Sequence, residues 1–392
     1  MSKFLKVSVS LLIIFAVIIL VGITLNKNYH TKFESLDETD QQMLRELSNI
    51  YINSENYSDK MWNQEYHFEK KPLILVRTNK DKGIARKEAY ALNVENIEDS
   101  IFAKEVKMPK SLHLPKVYRL SRFDFKTFST WFPVNFGTVD ISNNEIFYFK
   151  YHPKMFSNPD LYFDFSSFLL HESFHAYKQK NWTYDANNRE SIDNYPINKE
   201  NYALMGLEFK LLDKAMINND LGTLKQILYD WTIVRNYRYK KWPQLIAETK
   251  AEAMEGSARY LEYRYSQLTG GTLTVLAKKE KPYHVTFMEA LNFIANGQAY
   301  SPSFLERNMR YETGSALELI MDKTNIPWKE AIEDNSTKHG KTQYEVLNEY
   351  FRINDNSIVE SRLKEIKDSN DYEALLEQGE KLVNLSGPSG SK

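Results

Sequence analysis

The chain contains no cysteine. Disulfides, cysteine-ligated zinc, iron–sulfur clusters and thiol nucleophiles are therefore excluded together, and any chemistry must be carried by oxygen and imidazole groups. An excess of either charge is also missing. The 51 Lys and Arg stand against 52 Asp and Glu, so no global basic field exists to hold nucleic acid and no acidic excess suggests a polycation. Glycine and proline are sparse, at 14 and 12 in 392 residues, and no fixed period recurs, which excludes collagen-like, low-complexity and solenoid architectures. What is present, 42% hydrophobic and 14% aromatic residues, is the composition of a folded globular protein.

Charge is absent altogether from Val7 to Leu25, a 19-residue apolar run. As a helix it would extend roughly 28 Å, enough to cross the hydrocarbon of a bilayer. Lys3 and Lys6 precede it on a short tail, which favours a cytoplasmic N-terminus and an exported body. No small-residue cleavage pair follows the run, so residues 7–26 are expected to be a retained signal-anchor and residues 1–6 a cytoplasmic tail. Without a cysteine a lipoprotein anchor is excluded. The expected location is a single-pass membrane protein with its body outside the cytoplasm. Removing the basic N-terminal segment leaves that body mildly acidic.

Glu34 to Tyr57 carries Leu36, Met43, Leu44, Leu47, Ile50 and Tyr51 at helical spacing, with Asp37 or Ser35 as cap. Between Lys71 and Pro153 the pattern changes to short β-branched or aromatic runs: Pro72 to Arg77, Val117 to Ser121, Val134 to Ile141 and Ile146 to Tyr151. These predict a small sheet, with a turn at Asn143-Asn144. From Asp164 onward the periodicity is helical, over Ser166 to Lys180, Lys199 to Ile217, Leu221 to Tyr239, Pro243 to Gln267, Thr286 to Ala295, Met309 to Lys323, Trp328 to Asp334 and Gln343 to Gln378. The fold class this implies is α+β: a membrane helix, an N-terminal helix and small sheet over 27–155, a predominantly helical body over 156–385, and a flexible tail over 386–392.

His171-Glu172-Ser173-Phe174-His175 is an HExxH pentad. Residues four apart share a helix face, so both imidazoles can reach one metal ion while Glu172 stands beside an open coordination position. Asp164 or Ser166 can cap the helix, and Phe168, Leu170 and Phe174 give it an apolar face. A third ligand is required. Lys178 and Asn181 occupy the positions where a metzincin needs Gly and His, which removes that form. Glu190 and Glu200 lie at the distance of a thermolysin-like third acid, but neither sits in a suitable helix. Glu248, Glu252, Glu255 and Glu262 fall at i, i+4, i+7 and i+14, so a regular helix presents them as one stripe. Such a stripe repels itself by a few tenths of a kcal/mol per pair unless a cation or buried partners compensate.

Glu255-Gly256-x-Ala258-x-Tyr260-x-Glu262 resembles the NEGxAxYxE helix of gluzincin metallopeptidases, with Met254 standing where that family has Asn. The chain is also similar to uncharacterised bacterial HExxH proteins across Phe163 to Glu262. The matching positions are Tyr195-Pro196, Glu208, Arg235, Arg238, Glu248, Glu252 and Glu255, followed by a shorter likeness at Tyr311-Glu312-x-Gly314-x-Ala316. The resemblance implies a zincin-like body in which His171, His175 and Glu255 bind Zn²⁺ and Glu172 is the general base.

The activity implied is hydrolysis of a peptide or protein substrate. Glu252 stands as the alternative third ligand, and Glu252 or Glu248 is expected to orient a histidine. Tyr311, Tyr260 and Arg259 are the candidates for stabilising an oxyanion. Glu145 to Tyr151 is expected to be an edge strand that could pair with an extended peptide. Arg235 and Arg238 are read as holding buried carboxylates, and the tyrosines near Tyr260 as core. Two other functions fit the same residues: a non-catalytic envelope protein used for binding or scaffolding, and a zinc amidase or esterase acting on a cell-wall component.

Overall fold

The structure, a computed structural model, describes residues 3–28, 31–79, 86–184, 192–298, 301–335, 337–353 and 357–386. The expected tail beyond residue 386 lies outside these. Packing divides the chain into two units, Met1–Tyr177 and Lys178–Lys392. The HExxH helix thus belongs with the sheet, and the break falls later than the boundary expected at residue 155.

In the first unit, helix α1 spans Lys3–Lys27, and its Val7–Lys27 stretch is long and apolar enough to cross a membrane, a property that a signal sequence shares. Helix α2 spans Glu38–Met61, one turn later than its apolar periodicity suggested, because Asp37 is the cap and accepts a hydrogen bond from the Thr39 amide. Six strands follow: β1 Leu73–Arg77, β2 Glu88–Leu92, β3 Ala103–Val106, β4 Val117–Leu120, β5 Phe136–Ile141 and β6 Asn144–Tyr151. Their order is β3-β4-β2-β1-β6-β5, with β1 and β6 parallel and every other pair antiparallel.

This order corrects one expectation. Strand β6 is interior, hydrogen-bonded to β1 on one side and β5 on the other, so its backbone is not available to pair with a peptide. The edges are β3 and β5. The turn joining β5 to β6 is centred on Ser142 and Asn143, both at positive φ (54° and 64°), one residue earlier than expected. Strands β2 and β3 were not anticipated; Glu-Ala-Tyr-Ala-Leu and Ala-Lys-Glu-Val hold few β-branched residues.

The sheet alternates as a two-sided core requires. Ile74, Val76, Ala89, Ala91, Tyr118, Leu120, Val139, Ile141, Ile146 and Tyr148 form one apolar cluster with Val94 and Ile97. On the other face Tyr90 and Tyr151 donate to the two oxygens of buried Asp40 on α2, at 2.8 and 2.7 Å. Burial pushes the Asp40 carboxyl up from its usual range, while Tyr151, Arg77 and Tyr90 pull it back.

The second unit is helical in all its named elements: α4 Lys199–Met216, α5 Leu221–Lys241, α6 Ile246–Ala251, α7 Ser257–Leu268, α8 Phe287–Ala295, α9 Asn308–Thr324, α10 Gln343–Phe351, α11 Ser357–Asp368 and α12 Tyr372–Ser386, α3 being the HExxH helix Phe165–Tyr177 of the first unit. Two continuous helices anticipated from periodicity are interrupted. Gln343 to Gln378 divides into α10, α11 and α12, with Arg352 and Asp371 both at φ 53° beside the breaks. Pro243 to Gln267 contains a 3₁₀ turn at Pro243–Leu245 and a π turn at Glu252–Gly256.

The π turn is packed by a pair of glycines. A Cβ added at Gly256 would sit 2.7 Å from the Gly314 Cα, and one added at Gly314 would sit 2.6 Å from the Glu252 carbonyl oxygen. Backbone touches backbone there, and only glycine fits.

Candidate metal centre

Helix α3 starts where Asp164 accepts a hydrogen bond from the Ser167 amide at 3.0 Å, the capping role read from the sequence. Phe165 and Phe168 pack on Phe149 of β6, with ring centroids 6.1 and 5.2 Å apart. Phe174 meets Trp62 at 4.7 Å and Tyr66 at 5.5 Å. At its end the Tyr177 hydroxyl donates to the Pro72 carbonyl and accepts from the Phe147 amide, tying the last turn to the entry of β1 and the middle of β6. The helix is therefore fixed at its start, along one face and at its end.

This rigid turn presents the histidine pair. The Nε2 atoms of His171 and His175 lie 3.1 Å apart, with the rings at 78° to one another. His171 is buried, while His175 and Glu172 are partly exposed. Two neutral imidazoles can meet at this distance only if one donates to the other. Alternatively both present lone pairs to a cation: tetrahedral zinc with bonds of about 2.0 Å sets its ligand nitrogens roughly 3.3 Å apart. The spacing thus fits one edge of a zinc tetrahedron.

The acids of the second unit separate into two kinds. Glu248 and Glu252 are fully buried and bound by arginines. Arg238 grips both oxygens of Glu248 at 2.6 and 2.7 Å, and the Tyr195 hydroxyl adds a bond at 3.2 Å. Arg235 grips both oxygens of Glu252 at 3.0 and 3.2 Å while its Nε reaches Glu208 at 2.9 Å. Thr313 donates to Glu252 at 2.6 Å, and Arg310 approaches Glu252 and Glu248 at 3.4 and 3.6 Å. Burial pushes the Glu248 carboxyl up, but the charges of Arg238 and Arg310 and the Arg238 hydrogen bonds outweigh it and bring it down to about 2.

Three arginines and three glutamates thus form a buried lattice, with the Glu208 Oε1 and the Arg310 Nε left without hydrogen bonds. The reading of Arg235 and Arg238 as partners of buried carboxylates is borne out. The expectation that Glu252 or Glu248 orients a histidine is not, since the arginines and Thr313 hold their oxygens. The acid stripe is compensated by these cations, and the π turn breaks the regular register that the spacing assumed.

Glu255 belongs to the other kind. It sits in the π turn, partly exposed, with Arg307 3.6 Å from its carboxylate. It also takes a hydrogen bond from Tyr311, whose hydroxyl is pushed up by burial and then by the Glu255 charge. Tyr260 is committed elsewhere, donating to Asp322 at 2.5 Å, and Arg259 is engaged by Glu262 at 2.5 Å and Glu312 at 3.6 Å. Of the three tyrosine and arginine candidates, Tyr311 is the one seen here hydrogen-bonded to Glu255. Glu200 pairs with Lys241, and Glu190 lies outside the described residues.

Among the described residues, His171, His175 and Glu255 each offer one ligand atom, and these atoms all lie within 4.8 Å of one another. Arg307, Arg310 and Thr313 were not singled out from sequence. The signal available was their spacing around Tyr311: Arg307 and Arg310 stand two turns and one turn before Gly314, and Thr313 stands next to it. Comparison with protein-family models, curated proteins and solved structures finds none that the chain matches.

Proposed function

We propose that the chain is a membrane-anchored, zinc-dependent hydrolase of peptide bonds, with a zincin-like body. In this reading His171, His175 and Glu255 are the metal ligands and Glu172 is the general base. The observation that carries it is the 3.1 Å approach of the two HExxH imidazoles, with Glu255 as the neighbouring acid. Glu255 is preferred to Glu252 because Arg235, Arg310 and Thr313 already hold the Glu252 oxygens.

When bound, zinc supplies Lewis acidity toward a carbonyl oxygen and lowers the pKa of water toward about 7. The rest is the work of side chains. His171 and His175 would each offer an Nε2 lone pair to the metal. Glu172 accepts a proton from the attacking water and returns it to the leaving amine. Tyr311, beside Glu255, is the group we assign to hydrogen-bond the developing oxyanion. Lys3 and Lys6 ahead of the apolar Val7–Lys27 stretch favour an extracytoplasmic body.

Metal analysis of the full chain purified in detergent without chelators tests this. About one zinc per chain is expected in the wild type and in Glu172→Gln, and little in His171→Ala. Hydrolysis of a peptide library should fall by roughly 10²–10⁴ in Glu172→Gln. No zinc uptake by folded wild-type protein sinks the reading. Zinc uptake without hydrolysis leaves a tethered metal-binding protein.

A further inference from the structure

The segment between β4 and β5 places large apolar side chains in the open. Phe125, Phe128, Trp131, Phe132, Val134 and Phe136 are each between 39% and 61% exposed. Single exposed apolar residues are ordinary; six in so short a stretch make a patch that calls for a partner. Most polar groups of the same segment are turned inward, Lys126 being the exposed charge among them. Asp124 accepts from the Lys126 amide, the Thr127 and Thr130 hydroxyls donate to the carbonyls of Asp124 and Thr127, and buried Arg86 donates to both hydroxyls and to the carbonyls of Ser121 and Leu120. Rings outside and hydrogen bonds inside, with the Arg86 Nε the one buried atom of this network lacking a partner, approach what a hydrocarbon environment demands of chain that is neither long helix nor sheet.

The position of the patch names its partner. Phe125 stacks on Phe15 of α1, with centroids 5.1 Å apart and planes at 27°. Gly22 of α1 makes room for Phe123, whose Cβ would lie 2.7 Å from a Cβ added at Gly22. Nearer the end of α1, Asn26 donates to the Ile101 carbonyl and accepts from Arg119, both at 3.3 Å. Phe15 precedes Lys27 by twelve residues. At 1.5 Å per residue the stacked pair therefore lies roughly 18 Å inside the end of an apolar helix, and a hydrocarbon core is about 30 Å thick. A membrane-crossing α1 in this arrangement takes the aromatic segment into the lipid with it. Lys126, next to Phe125, is exposed on a side chain long enough to snorkel, and Arg122 just ahead of the segment donates to the Lys87 carbonyl at 2.7 Å and to Glu88 at 3.4 Å.

We propose that Phe125–Phe136 is a second membrane contact, an aromatic ledge set in the hydrocarbon beside α1, which sets the attitude of the first unit to the bilayer. The inference is independent of the hydrolase reading.

The absence of native cysteine makes the test direct. Phe128→Cys carries a polarity-sensitive nitrobenzoxadiazole label in the full chain, reconstituted into phosphatidylcholine–phosphatidylglycerol vesicles. Ile217→Cys, 80% exposed in the other unit, is the reference. The expected result is blue-shifted emission at position 128 and several-fold stronger quenching there than at 217 by lipids brominated on their acyl chains. Water-like emission without quenching overturns the proposal. So does a blue shift that resists brominated lipid and grows with the protein-to-lipid ratio, because the rings are then covered by a second copy of the chain. Phe128 is largely exposed, so its replacement leaves the packing intact; an unchanged melting temperature and a parallel label at Val134→Cys verify that.

Discussion

The buried lattice of Arg235, Arg238 and Arg310 and the HExxH turn are both dense in polar groups, but they are built differently. In the lattice, charges of both signs are wholly buried and interlocked by paired hydrogen bonds. On α3, two imidazole nitrogens face each other at 3.1 Å on a partly exposed turn held by apolar packing and a tyrosine strap. Polar groups that complete one another inside a core hold a fold together. Two imidazole nitrogens brought together on a turn that other contacts hold either share a proton or present both lone pairs to a cation, and the proposed metal site takes the second.

The largest effect expected from this contrast is on the lattice side. Glu252→Ala strands Arg235 and Arg310 without their shared carboxylate, and chemical denaturation should show a loss of about 3–5 kcal/mol. Gly314→Ala comes next. Its new Cβ meets the Glu252 carbonyl oxygen at 2.6 Å, and overpacking of this kind costs about 1–3 kcal/mol. Because the contact lies in the same π turn as Glu255, zinc content should fall in this variant along with stability.

A smaller effect comes from Glu46, whose carboxyl is raised to about 7 by burial first and by the charge of Asp164 second. A folded-state pKa above the unfolded one means the native state holds the proton more tightly. Its contribution is complete below about 4.5 and is lost as pH rises through about 7. Melting temperature should decline across that window in the wild type and flatten in Glu46→Gln.

The smallest expected change is the most informative. His175→Ala in chelator-treated protein should alter stability by less than about 1 kcal/mol while abolishing zinc uptake. If it instead unfolds the chain as severely as Glu252→Ala, the histidine pair is structural and the contrast disappears.

The legibility of these features in the sequence followed their range. Helix α3, its Asp164 cap and the two histidines depend on residues within a few turns of one another, and periodicity suffices to read them. Strand β2 was missed because Glu88–Leu92 becomes a strand through its neighbours β1 and β4, not through its own propensity. The break at Arg352 had a residue type that usually continues a helix, whereas Ser369-Asn370-Asp371 offered a turn signal that the strong periodicity on either side obscured. The π turn has no local signature at all. It is associated with the meeting of Gly256 and Gly314, far apart in the chain, and so is the choice between Glu252 and Glu255, since Arg310 and Thr313 arrive on that same later helix.

The parallel pairing of β1 with β6 also constrains how the chain matures. Leu73–Arg77 is almost entirely apolar, and one of its hydrogen-bonding flanks is satisfied only when Phe147 to Tyr151 arrives. During synthesis that flank stays open while some seventy intervening residues emerge, the slow, long-range closure that dominates folding times. Until then it is an adhesive strand edge. The chain is most prone to aggregation in that interval, and truncations ending before residue 147 should accumulate as insoluble material even though they retain β1, β2 and β4 intact.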